Sequence, residues 1–430
     1  MAMNRILSLA VAGAAAWVIA SPALAIGTDG ALAHPTPAPA APGAPGEVPK
    51  GQVSAAAGKD LQAVQKALNS TPPKYDEALA GLDKVKNNPK KNEYDEYVMN
   101  EFYVSTYAGQ KKLEEAAAPL EAIMVSKYMP PDELKRRVVQ AAYVYYELKN
   151  YDKAIELGNR AVKDGSAPEQ LQLAIAQAYY LKNDFKGADH YVHDLADEQV
   201  KAGQTPTGDM LEIGLSAAAK LNDEASERHW LELLVSYHPK PEYWENLLEF
   251  MYHNKLTDRQ TLQLYRLSAD VGTLKRGSDY AEMAQLALDA GSPGEAVTTL
   301  TKGFAANAFT DPAETNRNQH LLDSAKKQSV SDQATLAKTE ASAAGAATGD
   351  ALVGVGIGYF GYGDYEKASK DIAAGLAKGT AKDATDARLI LGIAQIRTGD
   401  KDGAVKTFKS VKGDAVYERL AELWVLRTRT

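Results

Sequence analysis

The chain has no cysteine. Disulfides, thiol catalysis, thiolate metal sites and lipid attachment through an N-terminal cysteine are therefore excluded, and the fold must be held by packing alone. Densely basic tracts are also missing, and the formal charge is −8 over 430 residues. Phosphate binding needs clustered Lys and Arg, so neither nucleic acid nor an anionic membrane surface is an expected partner. Runs of β-branched residues are scarce while alanine is abundant, which favours helix over sheet. Phenylalanine is rare as well, with 7 Phe against 22 Tyr.

After residue 25 no stretch is apolar enough to span a membrane. The first 25 residues read as an export signal. Arg5 supplies the positive start, Ile6 to Ala20 form an uncharged, largely apolar run, and Ala23-Leu24-Ala25 fits a small-x-small cleavage pattern. The alternative is an uncleaved anchor, for which the run is short. Residues 26–56 carry Pro35, Pro37, Pro39, Pro42, Pro45 and Pro49 among alanines and glycines and read as a disordered linker.

From residue 57 the sequence repeats. Ala142 and Ala176, Tyr145 and Tyr179, Tyr151 and Phe185, and Ala154 and Ala188 are each separated by 34 positions. A fixed offset of this size marks stacked helix pairs, none of which can bury its apolar face alone. The alanines mark close helix crossings and the large rings fill the space between. Lys149-Asn150 and Asn183-Asp184 suit tight turns. A third copy places Gly356, Tyr359, Tyr365 and Ala368 in the same order. Looser versions surround Ala78, Ala116, Ala296 and Ala404.

This small–Tyr…Tyr/Phe–x–x–Ala core, kept at Val138 to Ala154, Gln172 to Ala188 and Leu352 to Ala368, resembles that of the tetratricopeptide-repeat family. It departs from that pattern in lacking the leading Trp, in having Gly158 where a large residue is usual, and in a displaced closing proline, Pro168. The resemblance implies an all-α, right-handed superhelical solenoid of antiparallel helix pairs, in an exported bacterial protein. It also implies that the first helix of each pair lines a concave groove. In that register Tyr143, Tyr146, Glu147, Gln177, Tyr180 and Phe360 would face the groove.

The expected organisation is a helical solenoid over 57–310, a degenerate or hinge segment over 311–350, and further repeats with a capping helix over 351–430. In that last helix Val416, Leu420, Leu423 and Trp424 share a face opposite Glu418, Arg419 and Glu422.

Chemistry-bearing patterns are weak. His190 and His193 could share a helix face, but no third ligand accompanies them at a telling spacing. Gly354, Gly356 and Gly358 superficially suggest a dinucleotide loop, yet fall inside a helical repeat. Acid pairs such as Glu114-Glu115 read as solvated faces. No catalytic activity, cofactor or metal is expected. The expected role is a periplasmic, or secreted, scaffold that binds protein or peptide partners of the cell envelope. A binder of small ligands or glycans, with a deep aromatic-lined cavity, and an enzyme with a site between lobes are the alternatives.

The export reading makes a direct prediction. Intact-mass measurement of the protein recovered from the envelope of an expressing bacterium is expected to show a chain beginning at Ile26. Recovery of a chain that still carries residues 1–25 in a membrane pellet would favour the anchor.

Overall fold

The computed structural model describes residues 48–429, together with two short antiparallel strands, β1 (Ala25–Ile26) and β2 (Leu32–Ala33). Apart from Ala25, the predicted export signal lies outside the described residues, as does most of the predicted linker. The end of that linker is packed: Val53 is buried, and Ser54 caps the first helix.

Everything described after residue 54 is helical or a short connection. The helices are α1 (Ala55–Leu68), α2 (Tyr75–Lys86), α3 (Glu93–Gly109), α4 (Leu113–Met124), α5 (Pro131–Glu147), α6 (Tyr151–Lys163), α7 (Glu169–Leu181) and α8 (Phe185–Lys201). Then come α9 (Gly208–Leu221), α10 (Glu224–Tyr237), α11 (Pro241–Tyr252), α12 (Asp258–Asp270), α13 (Gly277–Asp289) and α14 (Pro293–Ala305). The last six are α15 (Pro312–Ala344), α16 (Asp350–Gly361), α17 (Tyr365–Ala377), α18 (Ala384–Arg397), α19 (Lys401–Lys409) and α20 (Ala415–Arg429). The described residues form two compact units: those up to 203 with 216–222, and 204–215 with 223–429. Within 311–350, the segment expected to be degenerate or a hinge, lies one 33-residue helix, α15, packed on α14 and α16.

One turn recurs between paired helices. Lys149 (φ 57°) and Asn183 (φ 65°) are left-handed, and Gly363 (φ 79°) and Gly399 (φ 86°) take the same place in the second unit. The amide of the next residue returns to a carbonyl five positions back: Asn150 to Tyr145 at 2.9 Å, Asp184 to Tyr179 at 3.0 Å, Asp364 to Tyr359 at 3.0 Å and Asp400 to Gln395 at 2.9 Å. That residue's own side chain then accepts from the amide three positions on, at Lys153, Gly187, Lys367 and Gly403. One left-handed residue followed by Asn or Asp thus ends one helix and starts the next.

In the first unit each helix packs on its successor, and α5 also touches α7. Ala142, Ala154, Ala176 and Ala188 are buried at the crossings, and Tyr145 is buried beside them. Gly158 has a packing reason: a Cβ there would lie 2.5 Å from Ile175 Cγ1 on α7. Tyr151, Phe185 and Tyr179 are only half-buried, as is Tyr365 in the second unit.

The second unit does more than stack. Its helices also follow one another from α10 to α20, but α18 and α20 both reach back to α12, and α20 also packs on α10. The chain closes on itself. The apolar face predicted for the last helix is real, with Leu420, Leu423 and Trp424 buried. It covers more than the preceding pair, because it fills the closure. Gly356, Tyr359 and Ala368 are buried within this unit.

Two glycines in α16 separate propensity from packing. A Cβ on Gly354 meets nothing within 4 Å, whereas one on Gly356 would lie 2.6 Å from Ile372 Cγ1, 3.0 Å from Ile372 N and 3.1 Å from Ala368 O. Gly354→Ala is expected to stabilise by about 0.5–1 kcal/mol through helix propensity. Gly356→Ala is expected to destabilise by about 1–3 kcal/mol, because backbone atoms cannot yield. Urea midpoints moving in the same direction for both would refute the helix crossing drawn here.

Candidate functional site

Five of the six residues predicted to face a groove lie in the first unit, on α5 and α7. Tyr143, Tyr146, Gln177 and Tyr180 are half-buried and Glu147 is exposed. Tyr146 Oη donates to Gln177 Oε1 at 2.8 Å, tying the two helices together. Each ring at the Tyr146 position leans edge-on against the first aromatic of the next helix. The centroid separations are 6.0 Å for Tyr146–Tyr151, 5.1 Å for Tyr180–Phe185 and 5.6 Å for Phe360–Tyr365. These rings are therefore partly fixed by packing, and the surface they keep is preorganised. Tyr180 Oη makes no hydrogen bond among the described residues, and Leu181 beside it is 42% exposed. Leu181 occupies the register of Glu147 and escaped the sequence reading because that position carries different chemistry in each copy.

Burial raises the phenols of Tyr143 and Tyr180. Tyr146 is pushed up to about 12, by burial first and then by Tyr151 and Glu147. All three present neutral hydroxyls at physiological pH.

The sixth predicted residue, Phe360, belongs to the second unit and is not brought together with the others. It is buried in the wall of a half-open cavity of about 350 Å³ lined from α12, α13, α14, α16, α17, α18 and α20. Ile393 and Arg397 of α18, on either side of Ile396, which matches Phe360 in the repeat, share that wall. The Tyr146 register, which keeps a surface in the first unit, is thus buried at Phe360. Arg266 of α12 lies over the Phe360 ring, 5.3 Å from its centroid, and binds Glu295 through Nε at 2.8 Å and Nη2 at 2.7 Å. Asp270 is shared by Arg397 and Arg427. A second cavity of about 200 Å³ lies on the other side of Arg266, among Arg259, Asp350, Asp383 and Asp386. None of these charged residues stood out in the sequence.

The tyrosine excess has a structural cause. Tyrosine hydroxyls repeatedly donate to a carboxylate on another helix: Tyr103 to Asp83 at 3.0 Å, Tyr265 to Glu282 at 2.8 Å, Tyr359 to Glu340 at 2.6 Å and Tyr362 to Asp332 at 2.6 Å. Tyr145 and Glu121, and Tyr243 and Glu212, pair in the same way. Phenylalanine would fill the same space without this bond.

The other sequence candidates gather no chemistry. His190 Nε2 lies 3.5 Å from Asp194 on an exposed face, and no group of three metal-donor side chains occurs among the described residues. Gly354, Gly356 and Gly358 sit within α16, as the repeat required. No helix among the described residues is long and apolar enough to cross a membrane.

No protein-family model matches the chain, and no curated protein matches it. Among solved structures it is similar to Naa15/Naa10 bound to HypK-THB, at 14% identity over 86% of this chain and 62% of that one, with a TM-score of 0.29. It is also similar to the P58(IPK) TPR domain (10% identity, 87% of this chain and 98% of that one, TM-score 0.20). Yeast Tom70 is a third (10% identity, 87% and 95%, TM-score 0.21). The chain spans under two thirds of the first of these. Superposition this poor lends no weight to any function, and the fold rests on the helix pairing itself.

Raised phenol pKa values set an alkaline limit. Tyr359 is pushed up to about 12, first by its bond to Glu340 and then by burial, and Tyr146 to a similar value. A folded pKa above the unfolded value of 10.0 gives stability that is fully present below pH 10 and lost as pH rises through about 12. Tyrosinate absorbance and helical circular dichroism are expected to change together in that window. Complete ionisation near pH 10 with helices intact would contradict these hydrogen bonds.

Proposed function

We propose that the chain is a non-catalytic scaffold of the cell envelope that takes a protein or peptide partner on the tyrosine face of α5 and α7. The observation that carries this reading is the pair of half-buried rings, Tyr146 and Tyr180, held at one register by the same edge-on contact. Rings fixed in this way lose little entropy on contact, and tyrosine adds a hydroxyl to its apolar area. Exposed Leu181 and Glu147 extend the face with one apolar and one acidic group. The superhelical course of the pairs and the export to the periplasm belong to the same proposal, the second supported by the pattern of residues 1–25.

The three buried acids beside the cavities of the second unit are already held, which favours binding over catalysis there. Glu295 is held by Arg266, Asp270 by two arginines, and Asp386 by Gln263 and Tyr417. A general base needs a carboxylate free to take a proton. The second cavity-related reading, a small-ligand binder, is favoured by the aromatic wall around Phe360.

A photoreactive phenylalanine analogue at Leu181 tests the scaffold role in intact cells. It is expected to give one adduct of fixed mass, which Tyr146→Ala and Tyr180→Ala each reduce several-fold. The same analogue at Val330, 71% exposed on α15, is expected to give none. An adduct at Leu181 that survives both alanine substitutions would argue that the tyrosines only pack.

A further inference from the structure

The left-handed turn residue sets a register for the second helix of each pair. Eight positions after it stand Leu157 in α6, Tyr191 in α8, Thr299 in α14 and Thr407 in α19, and in α17 the same place is held by Asp371. Leu157 packs against the core of the first unit, so the fold has no need of an acid there. Yet Asp371 is 3% exposed, on the buried stripe of α17 with Ala368, Ile372 and Gly375. Its Oδ2 has no hydrogen-bond partner, and it joins no ion pair among the described residues. A buried carboxylate without partners is costly as an anion.

Its surroundings do not relieve that cost. Besides burial, the charges that act on it most are Glu340 of α15 and, on its own helix, Lys370, Lys367 and Asp364. From α16 it meets Tyr359, whose Oη already donates to Glu340 Oε2 at 2.6 Å. None of these charges comes from α18, which also packs on α17. Lys367 is turned elsewhere, with Nζ 3.3 Å from Asp364 and 4.6 Å from the centroid of the Tyr359 ring, and Lys370 is exposed. Burial first, and then Glu340, pushes the Asp371 carboxyl above the ordinary aspartate value.

Glu340 lies on the half of α15 that is held by few apolar contacts. Between residues 331 and 344 only Leu336 and Ala343 are buried. The other fastenings are polar. Tyr362 Oη donates to Asp332 at 2.6 Å, Tyr359 Oη to Glu340, and Lys378 Nζ to the carbonyls of Ala344 at 3.2 Å and Ala346 at 2.5 Å. A segment with so little burial opens at small cost, and a like charge beneath one of its polar clips is well placed to open it.

We infer that Asp371 is a proton-operated fastening for the second half of α15. Neutral, it lets Glu340 seat on Tyr359; ionised, it repels Glu340 and loosens residues 331–344. The folded pKa of Asp371 lies above its unfolded value, so its sign is opposite to that of an acid in an ion pair. The fastening is complete below the ordinary aspartate range and weakens as pH rises through the raised value.

Hydrogen exchange of the full chain, read by mass spectrometry as protection factors at pH 5 and pH 8, tests this. Peptides from 331–344 are expected to be roughly three- to ten-fold less protected at pH 8 in the parent protein. Asp371→Asn, which keeps the shape and removes the charge, is expected to restore the pH 5 level at pH 8. Glu340→Gln, whose amide oxygen still accepts from Tyr359, is expected to do the same. The double substitution is expected to give no more than either alone, because both remove one repulsion. Peptides from 312–325 are expected to be indifferent to all three. Protection of 331–344 that is the same at both pH values in the parent, that falls in Asp371→Asn, or that rises additively in the double variant would each overturn the inference. None of these results bears on the crosslink at Leu181, so the two readings fail separately.

Discussion

The side of α12 that faces the rest of the second unit is polar, and the closure of that unit turns on it. Gln260 binds Asp414 at 3.2 Å, Gln263 binds Asp386 at 2.7 Å, Arg266 binds Glu295, and Asp270 takes Arg397 and Arg427. Arg259 adds a bond to Asp383 at 2.9 Å. Apart from Glu295, these partners lie on α18, α20 or the loops just before them, more than a hundred residues along the chain. A buried charge costs several kcal/mol unless its partners are complete. Sliding α12 by one turn would separate every pair and strand Arg266 and Asp270 at once. The stripe therefore specifies one register for the closure, while the leucines around it supply the bulk of the burial.

Repeat arrays hold neighbours together by local contacts, and local contacts are what a sequence displays. The hairpin α5–α6 could be read from Ala142, Tyr145, Tyr151 and Ala154 because the same spacing returns in α7–α8 and α16–α17. The turns could be read because Asn150 and Asp184 suit a cap, and each does accept from the amide three residues on. The closure could not be read in the same way. Arg259, Gln263 and Arg266 recur at helical spacing, as a solvated face would, and nothing in their spacing points to Asp386 or Glu295. Burial is what distinguishes a structural polar stripe from a wet one, and burial here depends on helices more than a hundred residues away.

The tyrosines show the same limit from another side. Their number was visible, but not what most of the hydroxyls do. Tyr103, Tyr145, Tyr265 and Tyr359 are packing residues whose hydroxyls end on a carboxylate. An acid on a neighbouring helix carries no sequence mark that links it to a given ring, so the pairing was illegible even though both residues were in plain view.

The position occupied by Tyr146, Tyr180 and Phe360 brings these threads together. All three rings make the same edge-on contact with the helix that follows, so the local requirement is for a ring and not for a hydroxyl. The surroundings decide the rest. Phe360 is buried beneath Arg266, whose Nε and Nη2 are committed to Glu295, and a hydroxyl there would have to find its own acceptor or lose its hydration. Tyr146 is half-buried and has Gln177 to accept its proton. Tyr180 has no such acceptor among the described residues, and it is only half-buried. An unmatched hydroxyl costs little where water can reach it and becomes useful once a partner replaces that water. Of the three copies, the one at Tyr180 is thus the least explained by the fold alone and the best suited to an interface.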